Sequence, residues 1–129
     1  MALHVELVSP ERILWSGEAE MVVARTTDGE IAFLTGHAPF IGALGIGVVS
    51  ITPEGGGERV VAAVHGGFVE VSENRVTVLS DVAELATDID VGRAEAARDR
   101  ARQGGDRAED AEAEAALRRA HVRLEVAGR

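Results

Sequence analysis

Residues 72–100, "SENRVTVLSDVAELATDIDVGRAEAARDR", change hydrophobic period part-way along. In the first part Val76 and Val78 alternate with Arg75 and Thr77, so one face is apolar and the other polar, as in a strand of a sheet with one dry side. From Asp90 the alternation stops and an Ala- and Arg-rich run begins, a composition that favours helix. A sheet followed by helices is therefore the expected order.

Upstream of this junction, "LHVELV", "EAEMVVART", "GEIAFL", "IGVVSIT", "ERVVAAVHG" and "FVEVS" repeat the strand pattern, rich in Val and Ile and separated by Gly, Pro, Asn or Asp. Short strands at that spacing predict an antiparallel sandwich or barrel. Gly66 and Gly67 interrupt one run and suggest a bend or bulge.

Downstream, two helical runs, 90–103 and 107–127, flank a "GGD" break. Asp90 suits an N-cap, Gly104 and Gly105 a helix end, and Asp106 the cap of the second helix. So short a connection predicts an antiparallel hairpin. At 1.5 Å per residue its arms measure about 21 and 31 Å. The large aliphatic residues beyond position 90 are Val91, Leu117, Val122, Leu124 and Val126, with Ala abundant between them. Burying all five contributes at most roughly 7 to 15 kcal/mol, against about 1 to 2 kcal/mol for each backbone residue ordered. The hairpin is expected to be readily helical but weakly docked. The plainer alternative is a solvated appendage. The division is placed at 1–86 for the β unit and 87–129 for the helices.

The chain of 129 residues allows one ordinary domain, or a small domain with an appendage, and it has no cysteine for disulfides, thiolate chemistry or Cys-type metal sites. Its start lacks a signal-peptide pattern, and no apolar run approaches the roughly 20 residues that span a bilayer. A soluble, unexported protein is expected. The formal net charge of −9 argues against nucleic acid as a partner. Residues 1–86 carry 4 Arg against 12 Asp and Glu, whereas 87–129 carry 9 against 10, so the two parts differ electrostatically.

Arg93 and Arg100 are seven apart, and Arg119 and Arg123 four apart, so each pair shares a helix face. Across a hairpin the four guanidinium groups could converge on phosphates, with Asp90 accepting from an adenine amino group and Ala94 leaving room for the ring. Alternatively these arginines pair with Glu95, Asp99 and Glu125 on solvated faces. "LTGHAPFIGALGIGVV", residues 34–49, has the glycines of a phosphate loop but neither its Lys-Ser/Thr ending nor a following helix. His4, His37, His65 and His121 lack metal-ligand spacing and read as ordinary surface or turn residues, so neither a metal site nor a catalytic centre is expected.

The "GHAP" turn, "GGFxEVxxNxVTVLxDxAE" over 66–84 and "IDxxRAxxA" over 89–97 together resemble the epsilon subunit of the bacterial F-type ATP synthase, along nearly the whole chain. This resemblance implies a sandwich of about ten strands followed by a helical hairpin. It also implies a non-catalytic rotor domain at 1–86, seated on the gamma subunit and the c-subunit ring through a surface bearing Glu30, His37, Ala38 and Pro39. The hairpin would lie folded on the sandwich or extend along gamma into the alpha/beta catalytic head, blocking hydrolysis. Location at the cytoplasmic face of the bacterial plasma membrane, held only through the complex, is likewise implied. In some members the compact hairpin binds ATP through Ile/Leu-Asp-x-x-Arg-Ala, matched here by Ile89, Asp90, Arg93 and Ala94, with Arg100, Arg119, Arg123 and Glu84 corresponding to the rest of the pocket. Regulatory ATP, with no required cofactor, is the corresponding expectation. Gly92 in the first turn and a short "QGGDRAED" connector depart from the family pattern. A free-standing nucleotide-sensing module is the alternative from a different class.

Overall fold

The computed structural model describes residues 2–104 and 111–128. Nine strands form one folded-over sheet: β1 (Leu3–Val8), β2 (Ile13–Thr26), β3 (Gly29–Leu34), β4 (Phe40–Ala43), β5 (Ile46–Pro53), β6 (Val60–His65), β7 (Phe68–Ser72), β8 (Arg75–Leu79) and β9 (Ala83–Leu85). Their order is β4-β7-β8-β1-β2-β5-β6-β9, with β3 also on β2. The 14-residue β2 belongs to both layers: Ile13–Ala19 pairs with β1, and the remainder with β3 and β5. Thr27 N–H to Ala43 O and Gly45 N–H to Arg25 O, each 3.0 Å, link the two layers where β2 ends.

The core lies between the layers and is built from the alternate residues that the period-two pattern singled out. Val5, Leu7, Val69, Val71, Val76 and Val78 from one layer meet Val22, Phe33, Val49, Ile51 and Val64 from the other. The described strands number nine, in keeping with the expected sandwich of about ten, and the named pairs are antiparallel as expected except that β1 runs parallel to β8. The parallel pair is possible because six strands intervene in sequence, ample length for the return that parallel neighbours require.

The expected bend at Gly66–Gly67 has a steric cause. Gly67 has φ +115°, and a Cβ there would stand 2.1 Å from the Leu79 carbonyl oxygen. The β7–β8 hairpin turns through Glu73 and Asn74, both at positive φ (49° and 59°), which matches a turn whose two central residues are left-handed.

After β9 the short 3₁₀ segment Ala86–Asp88 leads into α1 (Val91–Gly104), and the second helix, α2, runs Ala111–Val126. Asp90 caps α1: its Oδ1 accepts from Arg93 N–H at 3.0 Å. Gly104 closes α1, while the expected roles of Gly105 and Asp106 lie outside the described residues. Helix α1 packs along α2, and α2 rests on the outer face of β5 and β6.

Of the five large aliphatic residues beyond position 90, only Leu124 and Val126 are buried. Among the described residues, Ala94, Ala101 and Ala120 make up the rest of the hairpin's buried set. Ala63 is fully buried yet stands outside the sandwich core cluster; it projects from β6 on the side that α2 covers.

Candidate functional site

The junction between sheet and hairpin encloses a cleft of about 430 Å³, within the size range of small-ligand sites. Glu84 comes from β9, Asp88 from the 3₁₀ segment, Asp90 from the cap, Arg93, Ala94 and Arg100 from α1, and Arg123 from α2. Six of the residues singled out from sequence therefore share one cleft. Arg119 stands apart from it, lining an adjoining space between the helices that Arg100 and Arg123 also border. Ile89 is half-buried and does not line the cleft. Sequence reasoning missed Val82, Asp88 and Ala97; Ala97 falls on the face of Arg93 and Arg100, one turn after Arg93, and was legible from helical spacing.

The arginines differ in how they are engaged. Arg123 Nε donates to Glu84 Oε1 at 2.5 Å, and Arg119 Nη2 donates to Glu112 Oε1 at 2.7 Å. Asp99 takes Arg98 as partner, at 3.2 Å. Arg93 and Arg100 make no ion pair among the described residues, so the solvated pairings with Glu95 and Glu125 do not form. Asp88 is met from outside the cleft by Arg12 at 3.4 Å, which ties the β1–β2 loop to the segment entering α1. The cleft thus offers two uncommitted guanidinium groups on one helix face and a third already held by a carboxylate. A polyanion would add charge-assisted hydrogen bonds to the first two and compete with Glu84 for the third.

Beneath α2 lies a residue whose role sequence spacing did not suggest. His65, read as an ordinary surface or turn histidine, ends β6 with its side chain 4% exposed. Among the described residues neither ring nitrogen has a hydrogen-bond partner. Burial first, then the nearby Arg123, lowers its pKa from 6.5 to about 4; Glu84 pulls the other way and Arg119 adds to the lowering. Its Nε2 is 3.8 Å from Glu84 Oε1, but a ring neutral at pH 7 forms no ion pair there.

The second candidate surface is the turn between β3 and β4. The His37 ring packs edge-on against Phe33 with centroids 5.0 Å apart and lies 6.3 Å from that of Phe40. His37 Nδ1–H donates to Ala38 O at 2.7 Å, and Asn74 Oδ1 accepts from Gly36 N–H at 2.7 Å, pinning the turn to the β7–β8 hairpin. Ala38 and Pro39 are exposed, flanked by the exposed Leu34 and Ile41. Glu30, also exposed, lies near the other end of β3, about 13 Å of strand from position 34. Across the outer face of the first layer, Ala43, Phe68, Leu79, Val8 and Ile13 fall in one row of paired positions, and Phe68, Leu79 and Ile13 are exposed.

Comparison with known proteins places this geometry. The model of the ATP synthase delta/epsilon chain β-sandwich domain matches residues 2–86. The ATP synthase epsilon chain of Streptomyces coelicolor is 50% identical over 125 residues, 97% of this chain and 94% of the relative. The chain belongs to the ATP synthase epsilon chain family. A second epsilon chain, from Streptomyces avermitilis, is 48% identical over 94% of this chain and 97% of its own length, so the likeness includes the hairpin as well as the sandwich. Among solved structures, a chain of the Euglena gracilis mitochondrial ATP synthase OSCP/F1/c-ring assembly superposes with a TM-score of 0.84 at 23% identity, covering 99% of this chain and 82% of that one. It shares the fold. Among the described residues no helix of this epsilon family member is long and apolar enough to cross a membrane, and no His, Cys, Asp and Glu cluster suits a metal.

Proposed function

We propose that this epsilon chain is a non-catalytic central-stalk subunit that couples rotation to ATP synthesis in a proton-translocating complex, and that its hairpin restrains ATP hydrolysis. The sandwich is the seat. Glu30 and the rigid His37–Ala38–Pro39 turn, with the apolar row through Phe68 and Leu79, face the gamma subunit and the c-subunit ring. The chain is thereby held at the cytoplasmic face of the bacterial plasma membrane only through its partners. The hairpin is the moving part, resting on the sheet or extending toward the alpha/beta catalytic head.

The observation that carries this reading is the narrow attachment of the hairpin: α2 alone makes an extended contact with the sheet, and Leu124 and Val126 are the hairpin's only large buried side chains among the described residues. So few contacts leave the docked state favoured over the released one by only roughly a few kcal/mol. ATPase activity of the complex with and without residues 88–129 tests the restraint. Higher activity after truncation is expected, and equal activity refutes it. Co-purification with gamma separates the stalk reading from a free-standing nucleotide sensor, which would form no stable complex.

The arginine cleft is proposed to hold regulatory ATP. The donor set fits: Arg93 and Arg100 are uncommitted, Ala94 leaves the floor open, and Arg123 needs only to leave Glu84. Asp90 keeps one carboxylate oxygen on the Arg93 amide, leaving the other for a purine amino group. Calorimetric titration of the full chain with ATP, beside Arg93→Ala, tests this. Binding that the substitution abolishes supports it; equal heats from both, or none from either, refute it.

A further inference from the structure

We propose that His65 makes docking of the C-terminal hairpin acid-sensitive, so that protonating this imidazole drives α2 off the sheet. The inference concerns the docked contact and is independent of whether the cleft takes ATP.

The geometry is that of a covered base with no acceptor of its own. His65 projects from the outer face of β6, like Ala63 two residues before it, where α2 forms the cover. From β9 it is approached by Glu84, whose Oε1 is already taken by Arg123. From α2 the charges of Arg123 and, more weakly, of Arg119, which is paired with Glu112, act on it. β5, residues 46–53, carries no ionisable side chain, and Asp88 of the 3₁₀ segment turns toward Arg12. A proton on the ring would place a third positive charge beside two guanidinium groups, out of water, with the one nearby carboxylate engaged. Both terms disfavour the charged ring.

Undocking reverses both at once, because α2 supplies the cover and both arginines. The exposed ring returns to its ordinary value of 6.5, against about 4 when docked. The docked state therefore binds fewer protons between these two values. Docking is fully favoured above pH 6.5 and is lost as pH falls toward 4, by about tenfold in the docking constant at pH 5.5 and about 300-fold at the limit.

The absence of cysteine from the chain permits a clean probe. Ala120 is fully buried on α2, so Ala120→Cys gives a single thiol that alkylates when the hairpin lifts. Alkylation rates are measured in the full chain between pH 5 and 8, in the His65 and His65→Gln backgrounds. Their ratio cancels the titration of the thiol itself. A ratio rising about tenfold from pH 7.5 to pH 5.5 is expected, and a flat ratio overturns the proposal. A proton NMR titration of the His65 ring in the unsubstituted chain is the second measurement, independent of any substitution. A midpoint well below 6.5 supports the proposal, and an ordinary midpoint overturns it even if the substituted chains fail to fold.

Discussion

Leu124→Ala is the most direct probe of the hairpin as a separable unit. Leu124 is 4% exposed on α2, the helix that rests on β5 and β6, and is one of the hairpin's two large buried side chains among the described residues. Truncating a buried Leu costs about 2 to 5 kcal/mol in protein cores. The lower end applies here, because α2 lies on the outside of a sheet and can settle into the space. About 2 kcal/mol raises the undocked fraction roughly 30-fold. Hydrogen exchange of α2 amides and alkylation at Ala120→Cys both read that fraction directly.

The sandwich should scarcely register the change. Its core has no Leu124 contact in the buried cluster, so the urea midpoint of the β-sheet signal is expected to move little. Val78→Ala is the control: Val78 is fully buried on β8, and its loss should lower the midpoint while leaving the fold increase at Ala120 small. If Leu124→Ala lowers the global midpoint as much as Val78→Ala does, hairpin and sandwich unfold as one unit. The reasoning from a narrow attachment then fails.

Two further pairs of substitutions probe local structure. Asp90→Ala should cost about 1 kcal/mol of α1 stability by removing the cap on the Arg93 amide, whereas Asp90→Asn keeps a cap; circular dichroism reads the helix, and a loss of ATP heats with Asn but not of helicity would separate the carboxylate's ligand role from its capping one. Gly67→Ala should lower the thermal midpoint by many degrees, because its Cβ would meet the Leu79 carbonyl, while Gly36→Ala, at φ +84° with nothing within 4 Å, should cost far less; equal losses would show that backbone conformation alone, and not the close approach, matters at Gly67.

Much of this was legible in the sequence for definable reasons. Seven strands were readable because each is long enough to show period two or a Val-rich run. β4 and β9 were not: "FIGA" is four residues with a glycine, and "AEL" is three. Their pairing comes from partners, β7 and β6, that no local pattern reveals. The capping role of Asp90 and the shared face of Arg93 and Arg100 followed from helical geometry alone. The partner of Arg123 did not, because Glu84 lies 39 positions away on a different element. The same limit hid His65. Its neighbours "VVAAVHGG" look like a strand end at a turn, and only the helix laid across that strand turns an unremarkable histidine into a buried one.

The state-dependence of the cleft follows from its construction. Its walls come from β9, the 3₁₀ segment, α1 and α2, so it is complete only while α2 lies on the sheet. Any ligand that fills it must therefore favour docking. At 100 times its dissociation constant the gain is about 2.7 kcal/mol, similar to the loss assigned to Leu124→Ala. Protons act on the same contact with the opposite sign, through a ring that shares Glu84 and Arg123 with the cleft. Because one carboxylate faces both, nucleotide and acid are coupled reciprocally. Saturating ATP in the Leu124→Ala chain should restore protection of Ala120, and the ATP concentration needed should rise as pH falls from 7.5 to 5.5. Restoration at an unchanged ATP concentration across that range would place the two effects on separate contacts.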